Sequence, residues 1–210
     1  MVKTLLINCF QDYNRINELY DALSKFTVCK VIHYTNIRSD FKVGQDISAV
    51  VISGSDTRII KPEEKAKYQN VSKFIEPCDV PLLGICFGHQ LLCSTFGAKT
   101  GTLHQPVVDR FERVRVIQTG DILARFKMGQ TIPLAECHSD YVLKEGLETV
   151  GFNILADSSS CEVEAVKHKN KQFFGVQFHP ERITIKDQTY PEGYKIIDNF
   201  YCNIVKRLGI

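Results

Sequence analysis

Val80-Pro81-Leu82-Leu83-Gly84-Ile85-Cys86-Phe87-Gly88-His89-Gln90-Leu91-Leu92-Cys93-Ser94-Thr95-Phe96-Gly97 decides how the chain reads. The short apolar run that opens it, begun by a proline, suits a buried strand. Leu91, Leu92, Thr95 and Phe96 then recur at helical spacing, and Gly97 stands where a left-handed C-terminal cap belongs. Between strand and helix lies Gly84-Ile85-Cys86-Phe87-Gly88, a Gly-x-Cys-x-Gly turn that is the cysteine form of a nucleophile elbow. Its glycines allow a sharp turn and close packing, so Cys86 is expected to stand exposed at the strand's carboxyl end. There it would meet a helix N-terminus, whose free N–H groups and macrodipole favour a negative sulfur. A buried, inert thiol is the ordinary alternative for a free cysteine. The paired glycines argue against it.

Upstream of the elbow, Lys3 to Cys9 reads as a mostly apolar first strand. Ile16, Leu19, Tyr20, Leu23 and Phe26 mark an amphipathic helix, and Cys29 to Tyr34 a second strand. Ser48-Ala49-Val50-Val51-Ile52 is apolar enough to be buried on both faces, as a central parallel strand is. It runs into Ser53-Gly54-Ser55-Asp56. Pro62 is placed to open the next helix, with Glu63 and Glu64 favourable in its first turn and Pro77 ending it. Strands alternating with helices over this half predict an α/β fold: an open, mixed, mostly parallel sheet flanked by helices.

Downstream the character changes. Glu112 to Val116 alternates like a half-exposed strand, and Glu148 to Ala156, Glu162 to His168 and Gln172 to Phe178 read as further strands. Lys169-Asn170-Lys171 is a polar turn between the last two, so antiparallel hairpins on one sheet edge are expected. Tyr194, Ile197, Phe200, Tyr201, Ile204, Val205 and Leu208 mark a final amphipathic helix covering one face of the sheet. With no repeat, low-complexity tract or linker, residues 1–210 are expected to form a single domain.

Composition narrows the function classes. An apolar share of 44% and a charged share of 24% are those of an ordinary globular protein with a substantial core. A net charge of +2 without a long basic run gives no electrostatic footprint for nucleic acid or a membrane surface. No apolar stretch approaches the roughly 18 residues of a membrane span. The opening residues through Asn8 are too short and too soon polar for a signal peptide. Eight cysteines are scattered, with no Cys-x-x-Cys pair, which favours free thiols in a reducing, cytoplasmic compartment over disulfides or a zinc site.

A thiol nucleophile needs a base, and the base needs an orienting group. Gly175-Val176-Gln177-Phe178-His179-Pro180-Glu181 offers both: a buried-looking strand ends in a histidine, and the proline helps turn Glu181 back towards it. Cys86, His179 and Glu181 are therefore candidates for nucleophile, base and orienter.

These two seven-residue motifs, in this order and separation, resemble the class I (triad) glutamine amidotransferase family, and the likeness covers nearly the whole chain. The resemblance implies a flavodoxin-like fold and hydrolysis of the side-chain amide of L-glutamine through a γ-glutamyl thioester on Cys86. Ammonia would pass to a synthase domain or subunit. It also implies an oxyanion hole from the backbone N–H groups of Gly54 and Phe87, although Ser55 and Asp56 replace the family's usual Gly-Gly-Pro or Gly-Pro-Gly loop. A plain turn with Ser55 or Asp56 as a helix cap is the alternative there. Gln90, Ser139 and Asp140 match family positions that bind the substrate, against the alternatives of an ordinary helix residue and a simple turn within Cys137-His138-Ser139-Asp140-Tyr141. His89 and His138 are read as supporting residues, and no metal or other cofactor is implied.

Within the family, His138 to Val142, Gly151-Phe152, Leu155 to Ser158 and Glu164 to Val166 are most similar to the glutaminase part of GMP synthetases. The chain has no room for an ATP-pyrophosphatase domain and no Ser-Gly-Gly-x-Asp-Ser loop, so it is expected to make ammonia without activating a nucleotide. A stand-alone γ-glutamyl hydrolase or peptidase of the same fold, and a catalytically idle regulatory homologue, remain open alternatives.

Overall fold

The computed structural model describes residues 2–208, with the side chain of Leu208 outside that description. Strand β1 (Lys3–Asn8) leads through a short 3-10 turn into helix α1 (Asn17–Leu23), then strands β2 (Val28–His33) and β3 (Ala49–Ile52). Tyr20 lies largely in solvent rather than on the helix's core face, and Phe26 falls beyond the helix end. Pro62 opens helix α2 (Pro62–Lys65) with Glu63 and Glu64 in its first turn, and a 3-10 turn joins it to helix α3 (Gln69–Ile75). Strand β4 (Leu82–Ile85) enters the elbow and helix α4 (Phe87–Thr95) leaves it. Gly97 adopts φ +96°, and the Gly97 and Ala98 amides return to the Ser94 and Cys93 carbonyls, a Schellman cap.

The second half holds β5 (Thr100–Val116), β6 (Thr131–Val142), β7 (Phe152–Asp157), β8 (Ala165–His168) and β9 (Phe173–Val176). A small hairpin follows, β10 (Thr184–Ile185) with β11 (Gln188–Thr189), then helix α5 (Glu192–Asn199), which runs on through a π-helical turn over Phe200–Val205. Glu148 to Gly151 forms a turn rather than the start of a strand, with Val150 and Gly151 amides closing on Gly146 and Glu148 carbonyls.

Among the described residues, nine strands make one sheet in the order β2-β1-β3-β4-β9-β8-β7-β5-β6. The first five pair in parallel, which is the flavodoxin-like order of a doubly wound sheet. The remaining pairs are antiparallel. The expected mixed sheet flanked by helices, with antiparallel strands on one edge, is therefore present, although parallel and antiparallel pairs are equal in number and the antiparallel part is larger than the sequence pattern implied.

Two apolar clusters cover the two faces. One joins α1 and the C-terminal helix, through Leu19, Leu23, Ile197, Phe200 and Tyr201, to Leu6, Val51, Leu83 and Val176. The other joins α3 and α4, through Val71, Phe74, Leu91 and Leu92, to Leu5, Ile7, Val50 and Leu82. Every residue of β3, β4 and β9 is buried, as helices on both faces require. The carboxyl ends of these three strands lie side by side, and β6 curls back to meet them through an isolated bridge between Ala135 and His179.

Candidate active site

The elbow forms because two glycines leave no room for a side chain. A Cβ on Gly84 would stand 2.5 Å from the Gly88 carbonyl oxygen, and one on Gly88 would stand 2.3 Å from the Ile52 carbonyl oxygen. Between them Cys86 takes φ +50° and ψ −106°, a conformation that a non-glycine residue holds only when its surroundings dictate it. Three backbone bonds do so: Cys86 N–H to the Val176 carbonyl, Gly88 N–H to Ser53, and Gln90 N–H to the Cys86 carbonyl. The thiol is thereby fixed at the N-terminus of α4 and the end of β4.

His179 meets it from the end of β9. Its N–H donates to the Ala135 carbonyl at 2.8 Å, and the Arg182 N–H closes a turn back onto the His179 carbonyl. That turn places Nδ1 2.8 Å from Glu181 Oε1, and the imidazole lines one cavity with Cys86. Burial works against a charged imidazole here. The Glu181 carboxylate, with the Cys86 sulfur nearby, outweighs it and holds the His179 pKa well above the ordinary value.

Gly54 lies against this pair: a Cβ built on it would sit 3.2 Å from His179 Cε1 and 3.7 Å from Cys86 Cβ. Among the described residues neither the Gly54 nor the Phe87 amide donates to a protein acceptor. The loop that carries Gly54 is pinned. The Tyr68 hydroxyl donates to the Cys9 carbonyl at 2.7 Å and lies 3.1 and 2.9 Å from the Ser55 and Thr57 hydroxyls. Ser53 Oγ accepts from the Cys9 N–H and donates to the Gly54 carbonyl. Neither Ser55 nor Asp56 caps a helix, since α2 begins at Pro62 behind Lys61. The Asp56 carboxylate is turned onto Arg15 at the surface.

Strand β6 supplies the opposite wall. The Cys137 carbonyl lies 3.7 Å from the Cys86 sulfur. The Gln90 Nε2 donates to the Asp140 carbonyl at 2.6 Å and to Gln177 Oε1 at 3.1 Å, and Gln177 Nε2 lies 3.6 Å from the Cys86 sulfur. A cavity of about 180 Å³ ends on Cys86 and is lined by Gln90, Ser139, Asp140 and Arg58. A second, of about 390 Å³, reaches the same sulfur from the side of His179, Glu181 and Arg182. All eight positions anticipated from sequence (Cys86, His179, Glu181, Gly54, Phe87, Gln90, Ser139 and Asp140) thus fall within one region, on or beside these cavities.

The segment Cys137 to Tyr141 is strand, not a simple turn, and its Asp140 carboxylate does not face the cavity unpaired. It accepts from Arg58 Nε and Nη2 at 2.9 and 2.6 Å and from the Thr102 hydroxyl at 3.0 Å. His138 is buried and neutral, its pKa lowered to about 4 by that burial. His89 is deeper still, lowered to about 3 by burial and then by His138, and Gly175 leaves space for its ring. Sequence reasoning passed over Arg58, Gln177 and Tyr68. Gln177 lies inside the His-Pro-Glu motif and could have been found there; Arg58 and Tyr68 carry no periodic or motif signal. Among the described residues, no group of three His, Cys, Asp or Glu side chains is placed to hold a metal ion.

A thiol held in a strained turn at a helix N-terminus, a histidine paired with a glutamate on the same cavity, and free amides beside it are the parts that cysteine acyl transfer needs. The chain belongs to the class-I glutamine amidotransferase family, whose profile it matches over residues 5–204. It is 35% identical over 201 residues to the A subunit of the glutamine-hydrolyzing GMP synthase of Methanothermobacter thermautotrophicus, covering 96% of this chain and 97% of the relative. It is 33% identical over 132 residues to the corresponding GMP synthase chain of Methanosphaera stadtmanae, covering 62% and 64%. The fold matches a Thermoplasma acidophilum protein assigned to the same GMP synthase component, with a TM-score of 0.81 at 24% identity over 100% of this chain and 96% of the other.

Proposed function

We propose that this chain hydrolyses the side-chain amide of L-glutamine and supplies the ammonia to a synthase subunit. His179 takes the thiol proton, and the Cys86 sulfur then attacks the amide carbon. The N–H groups of Gly54 and Phe87 receive the oxyanion, each such donor contributing roughly 2.7–4 kcal/mol to the transition state. His179 returns the proton to the departing ammonia, leaving a γ-glutamyl thioester that water then cleaves to glutamate. Glu181 orients the imidazole and stabilises its charged form. Gln90, Ser139 and Asp140 shape the pocket for the amino-acid end of the substrate. No cofactor enters these steps.

One observation carries the reading: Glu181 lies 2.8 Å from His179 Nδ1, and both residues line the cavity that reaches the Cys86 sulfur. The relatives' shared name, that of one component of a glutamine-hydrolyzing GMP synthase, supports a synthase partner that makes GMP. No helix among the described residues is long and apolar enough to cross a membrane, in keeping with a chain that meets its partner in the cytoplasm. The test is ammonia release from glutamine by the purified protein, alone and with the co-purified synthase, beside a Cys86→Ala control. Cys86-dependent release supports the proposal. Equal release by the Ala variant, or labelling of Cys93 or Cys137 rather than Cys86 by a glutamine-like chloroketone, would overturn it.

A further inference from the structure

The cavity that ends on Cys86 has a charged far end. Arg58, in the loop after β3, lines it together with Asp140. Among the described lining residues it is the one cation, because His138 is neutral at ordinary pH. Its guanidinium is held from behind. The Asp140 side chain, only 3% exposed, takes Nε and Nη2, the Thr102 hydroxyl donates to the same oxygen, and the Ile60 N–H lies 3.5 Å from the other. Asp140 Oδ1 is therefore taken by three protein donors, and the carboxylate's charge is matched by Arg58. The Nη1 group of Arg58 donates to nothing among the described residues, and the side chain keeps 34% of its surface open. A guanidinium fixed by one buried carboxylate presents its remaining donors with little loss of side-chain entropy, the form in which arginine recognises a second carboxylate.

We propose that Arg58 is the specificity residue that anchors the α-carboxylate of the amino-acid substrate, with Asp140 acting as its positioning residue. This rests on the glutaminase reading of Cys86 and extends it. The substrate's amide end meets the sulfur and its carboxylate end meets Arg58, so ligands lacking an α-carboxylate are discriminated against. Asp140 contributes through the arginine it orients.

The test compares two reagents that alkylate Cys86. The diazo-ketone analogue of L-glutamine keeps the α-carboxylate; iodoacetamide has none. In Arg58→Gln, labelling by the diazo-ketone is expected to slow by roughly ten- to a hundredfold, the range for losing a charge-assisted hydrogen bond. Labelling by iodoacetamide should hold close to the wild-type rate, and Arg58→Lys should recover part of the loss. The KM for glutamine should rise far more than kcat falls. Arg58→Gln combined with Asp140→Asn leaves no buried unpaired charge, so it guards against misfolding of the single variant and should show the same selective loss. Equal slowing of both reagents, or no slowing of either, overturns the proposal. A wild-type Cys86 that reacts with iodoacetamide but ignores the diazo-ketone would instead refute the glutaminase reading itself.

Discussion

Replacing Glu164 with glutamine should make the protein more stable at neutral pH and leave its stability unchanged in acid. Glu164 and Glu136 are both fully buried and face each other within hydrogen-bond reach, a contact that only a shared proton makes favourable. The Ser158 hydroxyl donates to Glu164 Oε1 at 2.6 Å, and His138 Nε2 lies 3.4 Å from Glu136 Oε2. Glu112 and Asp157 add further negative charge, and the Cys86 sulfur does the same for Glu136. Burial is the main cause that raises the Glu164 pKa from 4.5 to about 7, and burial with the repulsion of Glu164 pushes Glu136 well above the usual range. An acid whose pKa is raised on folding keeps its proton in the native state after the unfolded chain has lost it. Stability therefore falls as pH rises from 4.5 towards 7, and the penalty is complete above the folded value.

At about 1.4 kcal/mol per pH unit, the Glu164 shift alone amounts to on the order of 3 kcal/mol at neutral pH. An amide at position 164 carries no such penalty and donates an N–H to Glu136 in place of the shared proton. Urea unfolding of wild type and Glu164→Gln across this range should give curves that coincide near pH 4.5 and separate steadily above it, the variant being the more stable. Parallel pH profiles would refute the shared-proton argument. A variant that is less stable at every pH would show that the carboxylate is satisfied as a charge.

Three further outcomes follow from the site. Gly88→Ala places a Cβ 2.3 Å from the Ile52 carbonyl oxygen, so it should cost at least about 1–3 kcal/mol and abolish turnover by shifting the elbow, read by denaturant unfolding and ammonia release. His179→Ala should be nearly as inactive as Cys86→Ala, while Glu181→Gln should be less damaging and lower the His179 pKa, measured by NMR titration of the imidazole, because its main charge partner is gone. Tyr68→Phe removes the hydroxyl that ties Cys9 to the loop at Ser55 and Thr57; it should cost about 1 kcal/mol and, if that loop carries the proposed oxyanion donor, lower kcat while leaving KM nearly unchanged.

The parallel half of the fold was legible because its residues obey one rule at a time. Ala49 to Ile52 and Leu82 to Ile85 are buried on both faces and uniformly apolar apart from Gly84, and the glycines at 84 and 88 mark a contact that admits nothing larger. The His-Pro-Glu turn was legible as chemistry for the same reason. Strand β6 was not, although it is one of the longest in the molecule. Its buried face runs Ile132, Leu134, Glu136, His138, Asp140 and Val142, a period of two with three polar residues in the middle. Alternation is read from apolar residues, and here the inward positions are occupied by the groups that build the site's wall. Arg58 was hidden differently: its partners are 44 and 82 residues away, and nothing local announces them.

That concealment has a structural cause that links β6 to the elbow. A parallel sheet offers the carboxyl ends of its strands as a crevice, but the ends of β3, β4 and β9 supply only the sulfur, the imidazole and the amides. The substrate's other end needs a wall facing them, and β6 provides it by leaving the plane of the sheet to bond His179 through Ala135, to meet Cys86 through the Cys137 carbonyl and to meet Gln90 through the Asp140 carbonyl. These contacts use its backbone, so its inward side chains are free to differ from a core strand's. Asp140 is matched by Arg58, and His138 is kept neutral by burial. Glu136 forms no ion pair with a lysine or arginine among the described residues, and a proton shared with Glu164 would offset the cost of its burial. The shared proton holds that pair to one negative charge instead of two, so the arrangement that hides β6 in the sequence also limits the negative charge facing the Cys86 sulfur.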